Sequence, residues 1–307
     1  MQRPAGLAMT PATWAMLVVL ALLWGCTFFF NAIALPELPP VTLIALRVAI
    51  AAAVLWPILL LRGEAVPVDR ATLAGLALLG LCNGALPFLL IAWGQTQITG
   101  GVAAVLIAMT PLFTVLVAHL MTDDERITRA RLAGIGAGLL GVVVLIGPRA
   151  LTSLGGDLAA QLAIIVAAIA YAFSGVYARR FIGTGLPLLA IATWQITFAA
   201  LITVPLALLI DRPWTLPMPG AVAWSGVAGL ALTSTVIAYM LYFRILATAG
   251  ATNLLLVNFL VPVSAILLGV LVLGDVLAPR HLAGMALIAL GLACLDGRLW
   301  RRLRRAR

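Results

Sequence analysis

Long stretches of the chain carry no polar break. Apolar runs cover Trp14 to Phe30, Val41 to Leu61, Thr72 to Gly94, Val102 to Met121 and Leu132 to Gly147. After a Gly/Ser-containing break at Thr152 to Asp157, further runs cover Ala160 to Phe181, Pro187 to Ile210, Ala221 to Leu246, Asn253 to Leu273 and Leu282 to Leu299. Most come close to the roughly 20 apolar residues that carry a helix across hydrocarbon. A membrane barrel would instead show short segments of alternating polarity. The pattern predicts an all-α integral membrane protein with ten transmembrane helices. The break between the third and fourth runs, Gln95 to Gly101, is marked only by its polar and glycine residues.

The runs also repeat. Leu132, Ala133, Gly134, Gly141 and Gly147 recur as Leu282, Ala283, Gly284, Gly291 and Gly297, all at an offset of 150, and Glu125 is answered by Asp275. Pro111 matches Pro262 at an offset of 151, and Leu38, Pro39 and Pro57 match Leu186, Pro187 and Pro205 at 148. Trp24 and Thr27 match Tyr171 and Ser174 at 147. Ordered matches with a slowly drifting offset mark two copies of one five-helix unit. The expected organisation is a first repeat at 13–147, a second at 158–299 and a basic tail at 300–307. Because five is odd, the second copy enters the membrane from the opposite side. Inverted repeats of this kind are a recurrent architecture of secondary transporters.

Composition narrows the class. Of 307 residues, 64% are hydrophobic and 9% charged, with a mean hydropathy of +1.17. Soluble chains average about 45–50% apolar and about 25% charged residues, so a soluble enzyme is excluded. The net charge is +9, and all 19 basic residues are Arg. With the N-terminus placed in the cytoplasm, 15 arginines fall in cytoplasmic segments and 3 outside, while Arg47 lies within the second span. Both termini are therefore expected in the cytoplasm. Arg298, Arg301, Arg302, Arg304, Arg305 and Arg307 directly follow a span, and read as an anchor on anionic lipid rather than a nucleic-acid arm. Cys26, Cys82 and Cys294 stand alone in apolar runs, which predicts neither a disulfide nor a metal site. No nucleotide-binding motif appears, and no cofactor is expected.

Polar groups in hydrocarbon are costly and so informative. Trp24, Thr27 and Asn31 share one face of the first span, with Tyr171 and Ser174 as partners in the sixth. Asn83, Pro87, Phe88 and Ile91 cluster in the third, and Ser234, Tyr239 and Tyr242 hold the equivalent places of Asn83, Phe88 and Ile91 in the eighth. Thr110 precedes Pro111 in the fourth, and Asn258 stands one turn before Pro262 in the ninth. These pairs predict a central cavity. Its candidate substrate-binding residues are Trp24, Thr27, Asn83, Phe88, Thr110, Tyr171, Ser174, Tyr239 and Asn258. Each also has a plain alternative, as helix–helix glue or interfacial aromatic. Pro111 and Pro262 remove backbone hydrogen bonds and are candidate hinges or gates, or static kinks. Gly134, Gly141, Gly284 and Gly291 suit close helix packing. Arg47, seven residues into its span, reads as a structural residue that snorkels outward or pairs with Glu37, in preference to the alternative of a substrate-binding residue. His119 and His281 stand at span ends and do not make a metal site. Every carboxylate falls at or near a span end, so a midplane proton relay is not expected.

Ten spans in two five-span halves, with an acidic residue followed by Leu-Ala-Gly-x6-Gly in both copies, resemble the EamA-type drug/metabolite transporter superfamily. Trp24-Gly25 and Arg47 also resemble its pattern, and the likeness covers nearly the whole chain. Within the superfamily the chain is most similar to the YddG type of amino-acid exporter. The resemblance implies multi-pass residence in a bacterial inner membrane and export of amino acids, aromatic ones included, and related small metabolites through a central cavity. It implies a protein functional as a monomer, partnered by its substrate and the lipid bilayer and not by nucleic acid. The first span lacks the membrane-embedded glutamate of the related small multidrug pumps. Two other classes stay open at this point. One is a channel-like facilitator. The other is a membrane-embedded enzyme built on Ser174-Gly175 and His281, which an edge histidine and a deep serine make unfavourable.

Overall fold

The structure, a computed structural model, describes residues 10–64, 69–122, 129–146, 158–181, 184–254, 256–258, 260–264 and 279–296. Every regular element among them is helical. Helix α1 (Pro11–Ala34) begins at Thr10, whose hydroxyl accepts the Thr13 amide at 3.1 Å. Helix α2 (Pro40–Leu61) opens on a proline, where the missing N–H would have had no partner. Helix α3 (Arg70–Gly80) runs through a π-helical segment, Leu81–Ala85, into α4 (Leu86–Gly94). Asp69 caps α3, accepting from the Thr72 amide at 2.8 Å and its hydroxyl at 3.1 Å, and these bonds hold its carboxyl below the usual range. Then follow α5 (Gly100–Ile107), α6 (Thr110–Met121) and α7 (Arg129–Ile146).

The second half begins with α8 (Leu158–Tyr177), ending in a 3₁₀ turn at Ala178–Phe181, and α9 (Leu188–Ile210). Helix α10 (Ala221–Ala228) passes through a second π-helical segment, Gly229–Ile237, into α11 (Ala238–Leu254). Gly250 interrupts α11 with a φ of +81°, a conformation that glycine adopts without strain. Helix α12 (Pro279–Asp296) closes the described chain. Among the described residues, six helical rods are long and apolar enough to cross a bilayer: Pro11–Ala34, Pro40–Leu61, Arg70–Gly94, Leu158–Phe181, Leu188–Ile210 and Ala221–Gly250. Thr110–Met121 and Leu132–Gly141 are shorter apolar helices. Most of the expected ninth span, Asn253 to Leu273, lies outside the described residues, as does the 300–307 tail.

The fourth run is not one helix. It breaks at Ala108 and Met109, between α5 and α6. The cause is local. Pro111 has no N–H to give the Ile107 carbonyl, and the Thr110 hydroxyl takes that carbonyl instead at 2.6 Å.

Packing follows the repeat. The equivalent helices α2 and α9 lie against each other, and so do the equivalent pair α7 and α12. Many further contacts cross between halves. Helix α1 packs on α10, the second π segment and α11, while α8 packs on the first π segment and α4. Helix α2 touches the second π segment, and α9 touches α3 and the first. The two halves therefore interleave and share one apolar core, in which Leu20 and Leu55 pack with Ile164 and Ile196.

Candidate functional site

A cavity of about 100 Å³ opens where the halves meet. That is room for several waters, at roughly 10–15 Å³ each on the same measure, or for part of a small metabolite. Helix α1 supplies Trp24, Thr27, Phe28 and Asn31, and α8 supplies Tyr171. The two π-containing rods supply Asn83, Phe88, Tyr239 and Tyr242. Thr110 comes from α6, and Asn258 from the described stretch 256–258, inside the expected ninth span. Eight of the nine expected binding residues thus reach the cavity wall. Ser174, 1% exposed, stands behind it and donates to the Asn83 Oδ1 at 3.1 Å.

Asn83 is a hub. Its Nδ2 donates to the Gln195 Oε1 at 3.2 Å, and its backbone carbonyl accepts the Tyr239 hydroxyl at 2.7 Å. Tyr239 comes from the second half, so the hub ties the halves together at the cavity. The aromatic wall is continuous: Tyr239 and Tyr242 have ring centroids 5.9 Å apart, and Tyr242 and Trp24 5.8 Å apart. Such tilted rings suit an apolar or aromatic group in the cavity. Pro111 and Pro262 are both buried beside this region. Pro111 sits at the α5–α6 break, and Pro262 lies in the helical stretch 260–264.

Arg47 overturns its sequence reading. It neither snorkels nor meets Glu37, which accepts instead from the Gly220 amide at 2.6 Å. Arg47 is 3% exposed and lines the cavity. Its Nε donates to the Thr235 Oγ1 at 2.8 Å, its Nη2 approaches the Ser234 carbonyl at 3.4 Å, and its guanidinium lies 3.6 Å from the Phe88 ring centroid. The second π segment makes this possible. It leaves the Leu230 carbonyl to accept the Thr235 hydroxyl at 2.8 Å, so that hydroxyl's lone pairs face Arg47. Span depth had argued for the surface; cross-half packing brings the surface to the residue.

Two independent EamA-like transporter family matches cover residues 12–147 and 158–295. The chain belongs to the EamA-like transporter family. Among its EamA relatives, an uncharacterized inner membrane transporter, YedA of Escherichia coli K12, is 32% identical over 273 residues, covering 85% of this chain and 83% of that protein. Protein PecM of Dickeya dadantii is 28% identical, covering 86% of each chain. An S-adenosylmethionine/S-adenosylhomocysteine transporter of Chlamydia trachomatis is 22% identical, covering 88% of this chain and 85% of its own. A solved crystal structure superposes with a TM-score of 0.73 at 22% identity, covering 92% of this chain and 97% of that one. This last likeness concerns the fold. As an EamA protein the chain is a membrane transporter.

Besides several apolar positions and Thr114, two charged wall residues of this EamA cavity escaped the sequence. Arg179, one of the 15 arginines counted as cytoplasmic, lines the cavity from the 3₁₀ turn after α8. Arg47 reads as structural. The wall contains no Asp, Glu or His among the described residues. The repeat held an unread signal: Gln195 stands 148 residues after Arg47, the offset of the proline pairs, so both halves place a long polar side chain there.

Proposed function

We propose that the chain is a ten-helix inverted-repeat secondary transporter, with repeats at 13–147 and 158–299, that exports small metabolites by alternating access. Amino acids, aromatic ones included, are its main substrates. The observation that carries this reading is a cavity walled by equivalent residues of two interleaved halves. If the halves exchange conformations, the same wall opens to the other side. The cavity's size, its ring-lined wall and its few polar groups suit a small molecule with one polar end. The substrates named for the chlamydial relative each carry an α-amino acid group, which points the same way.

Trp24, Thr27, Asn83, Phe88, Thr110, Tyr171, Tyr239 and Asn258 contact substrate, with Ser174 positioning Asn83. Pro111 and Pro262 act as gates. The protein resides in a bacterial inner membrane as a functional monomer with both termini cytoplasmic. The test is counterflow into proteoliposomes loaded with single amino acids. Trans-stimulated uptake is expected; pore-like flux without counterflow refutes the carrier. Labelling of a cysteine placed in the Arg126 to Arg131 loop from outside intact cells refutes the topology. Transport runs on the substrate's own gradient, without an obligatory side-chain proton relay. With the membrane potential clamped, uphill accumulation of a non-titrating substrate under a pH gradient defeats that coupling.

A further inference from the structure

Arg47 is more than the fold requires. It and Gln195 occupy equivalent places, 148 residues apart. Both are buried, at 3% and 1% exposure, and each reaches across to the π segment of the opposite half. Arg47 bonds Thr235 and approaches the Ser234 carbonyl in the second segment; Gln195 bonds Asn83 in the first. Asn83 and Ser234 are themselves equivalent, 151 residues apart. A neutral amide therefore makes this cross-half contact in one half, and a full positive charge makes it in the other.

The guanidinium stays charged under any physiological condition. A buried charge is costly unless it is paired, and no carboxylate lines its cavity among the described residues. Its neutral partners, a hydroxyl and a carbonyl, satisfy some of its five N–H donors and none of its charge. The Phe88 ring face offsets part of that cost. Arg179, a second cation, lines the same cavity.

We propose that Arg47 is the carboxylate anchor of the transported substrate. The site takes a carboxylate-bearing metabolite with an apolar or aromatic body, zwitterionic or anionic, and rejects organic cations. The carboxylate sits on the guanidinium N–H groups that Thr235 and Ser234 leave over. The body of the substrate lies against Trp24, Tyr239 and Tyr242. Broken symmetry at this one pair of equivalent places gives the site a polarity: the first half sets a guanidinium there, and the second half an amide.

This inference rests on the carrier reading above, and the test separates the two. The purified protein in liposomes is offered L-phenylalanine, 3-phenylpropionate and phenethylamine, which differ only by loss of the amine or of the carboxylate. The wild type is expected to move or be competed by both carboxylates, with phenethylamine weaker by about tenfold or more, the range of a charge-assisted hydrogen bond. Arg47→Gln copies the residue of the sister half. It is expected to keep the thermal unfolding midpoint and to lose the carboxylate preference at least tenfold without weakening phenethylamine. Arg47→Lys keeps the charge and should retain part of the preference. A folded Arg47→Gln that still prefers carboxylates overturns the proposal. So does an Arg47→Gln that cannot fold while Arg47→Lys folds without preference, or a wild type that moves neither carboxylate. Flux of all three probes without counterflow instead defeats the carrier reading.

Discussion

Gly291 of α12 faces α7 so closely that one methyl group would collide with the backbone. A Cβ built there lies 2.7 Å from the Gly138 nitrogen, 2.8 Å from the Gly134 oxygen and 3.0 Å from the Gly138 Cα. Ordinary contact begins near 3.4 Å, so the helices must separate by about 0.7 Å. No flexible side chain is there to give way. Overpacking of this kind costs about 1–3 kcal/mol, and three backbone contacts argue for the upper part of that range. Alanine also gains about 1 kcal/mol of helix propensity over glycine, which masks part of the loss. Gly136, one helix face away on α7, calibrates that gain, because its Cβ would meet nothing within 4 Å. The stability difference between Gly136→Ala and Gly291→Ala then isolates the collision, at about 1–3 kcal/mol. Reversible denaturant unfolding of both variants in one detergent measures it. Equal stabilities would show that the α7–α12 crossing is not backbone-close, and the packing account of the repeat glycines would fall.

Thr235→Val removes the acceptor of the Arg47 Nε bond but keeps the shape. Bonds to charged groups contribute about 1.5–3 kcal/mol, so substrate affinity should fall by about tenfold, read by scintillation proximity binding; an unchanged affinity refutes the support role of the second π segment. Tyr239→Phe deletes the 2.7 Å bond to the Asn83 carbonyl and should lower stability by about 0.5–1.5 kcal/mol. A thermal melt equal to wild type would mean that this cross-half tie adds nothing. Asn83→Ala strips Gln195 of its hydrogen-bond partner at 3.2 Å and should cost about 1–3 kcal/mol, with transport reduced beyond the loss of folded protein; full specific activity in the folded fraction would remove Asn83 from the site.

The repeat was legible because glycine, leucine and proline mark places where helices must touch or bend. Gly134 and Gly291 do meet backbone to backbone. The cavity was legible because polar and ring residues in apolar runs recur in equivalent pairs. Trp24 and Tyr171 both reach the wall, and so do Phe88 and Tyr239. Ser174 failed as a wall residue because its hydroxyl is spent on Asn83 and on the Tyr171 carbonyl, 2.9 Å away. The π segments carry no residue signature, since a π turn is a one-residue surplus that any helical sequence can absorb. Arg47 was misread because depth along one's own helix says nothing about what a helix 188 residues later will cover.

Interleaving has a cost in time. Arg47 is synthesised 188 residues before Thr235. At about 5–20 residues per second, the ribosome leaves roughly 10–40 s between them. The Leu23 carbonyl waits longer still for the Ser234 hydroxyl that closes on it across 211 residues. Throughout that interval the leading helices hold a guanidinium at a depth where hydrocarbon charges about 2.5–3.5 kcal/mol for it. The nascent first half is thus not a folding unit that waits for a finished twin. It is an unfinished surface until the rod of α10, the second π segment and α11 packs between its members, and the repeat boundary in the sequence is no boundary in assembly.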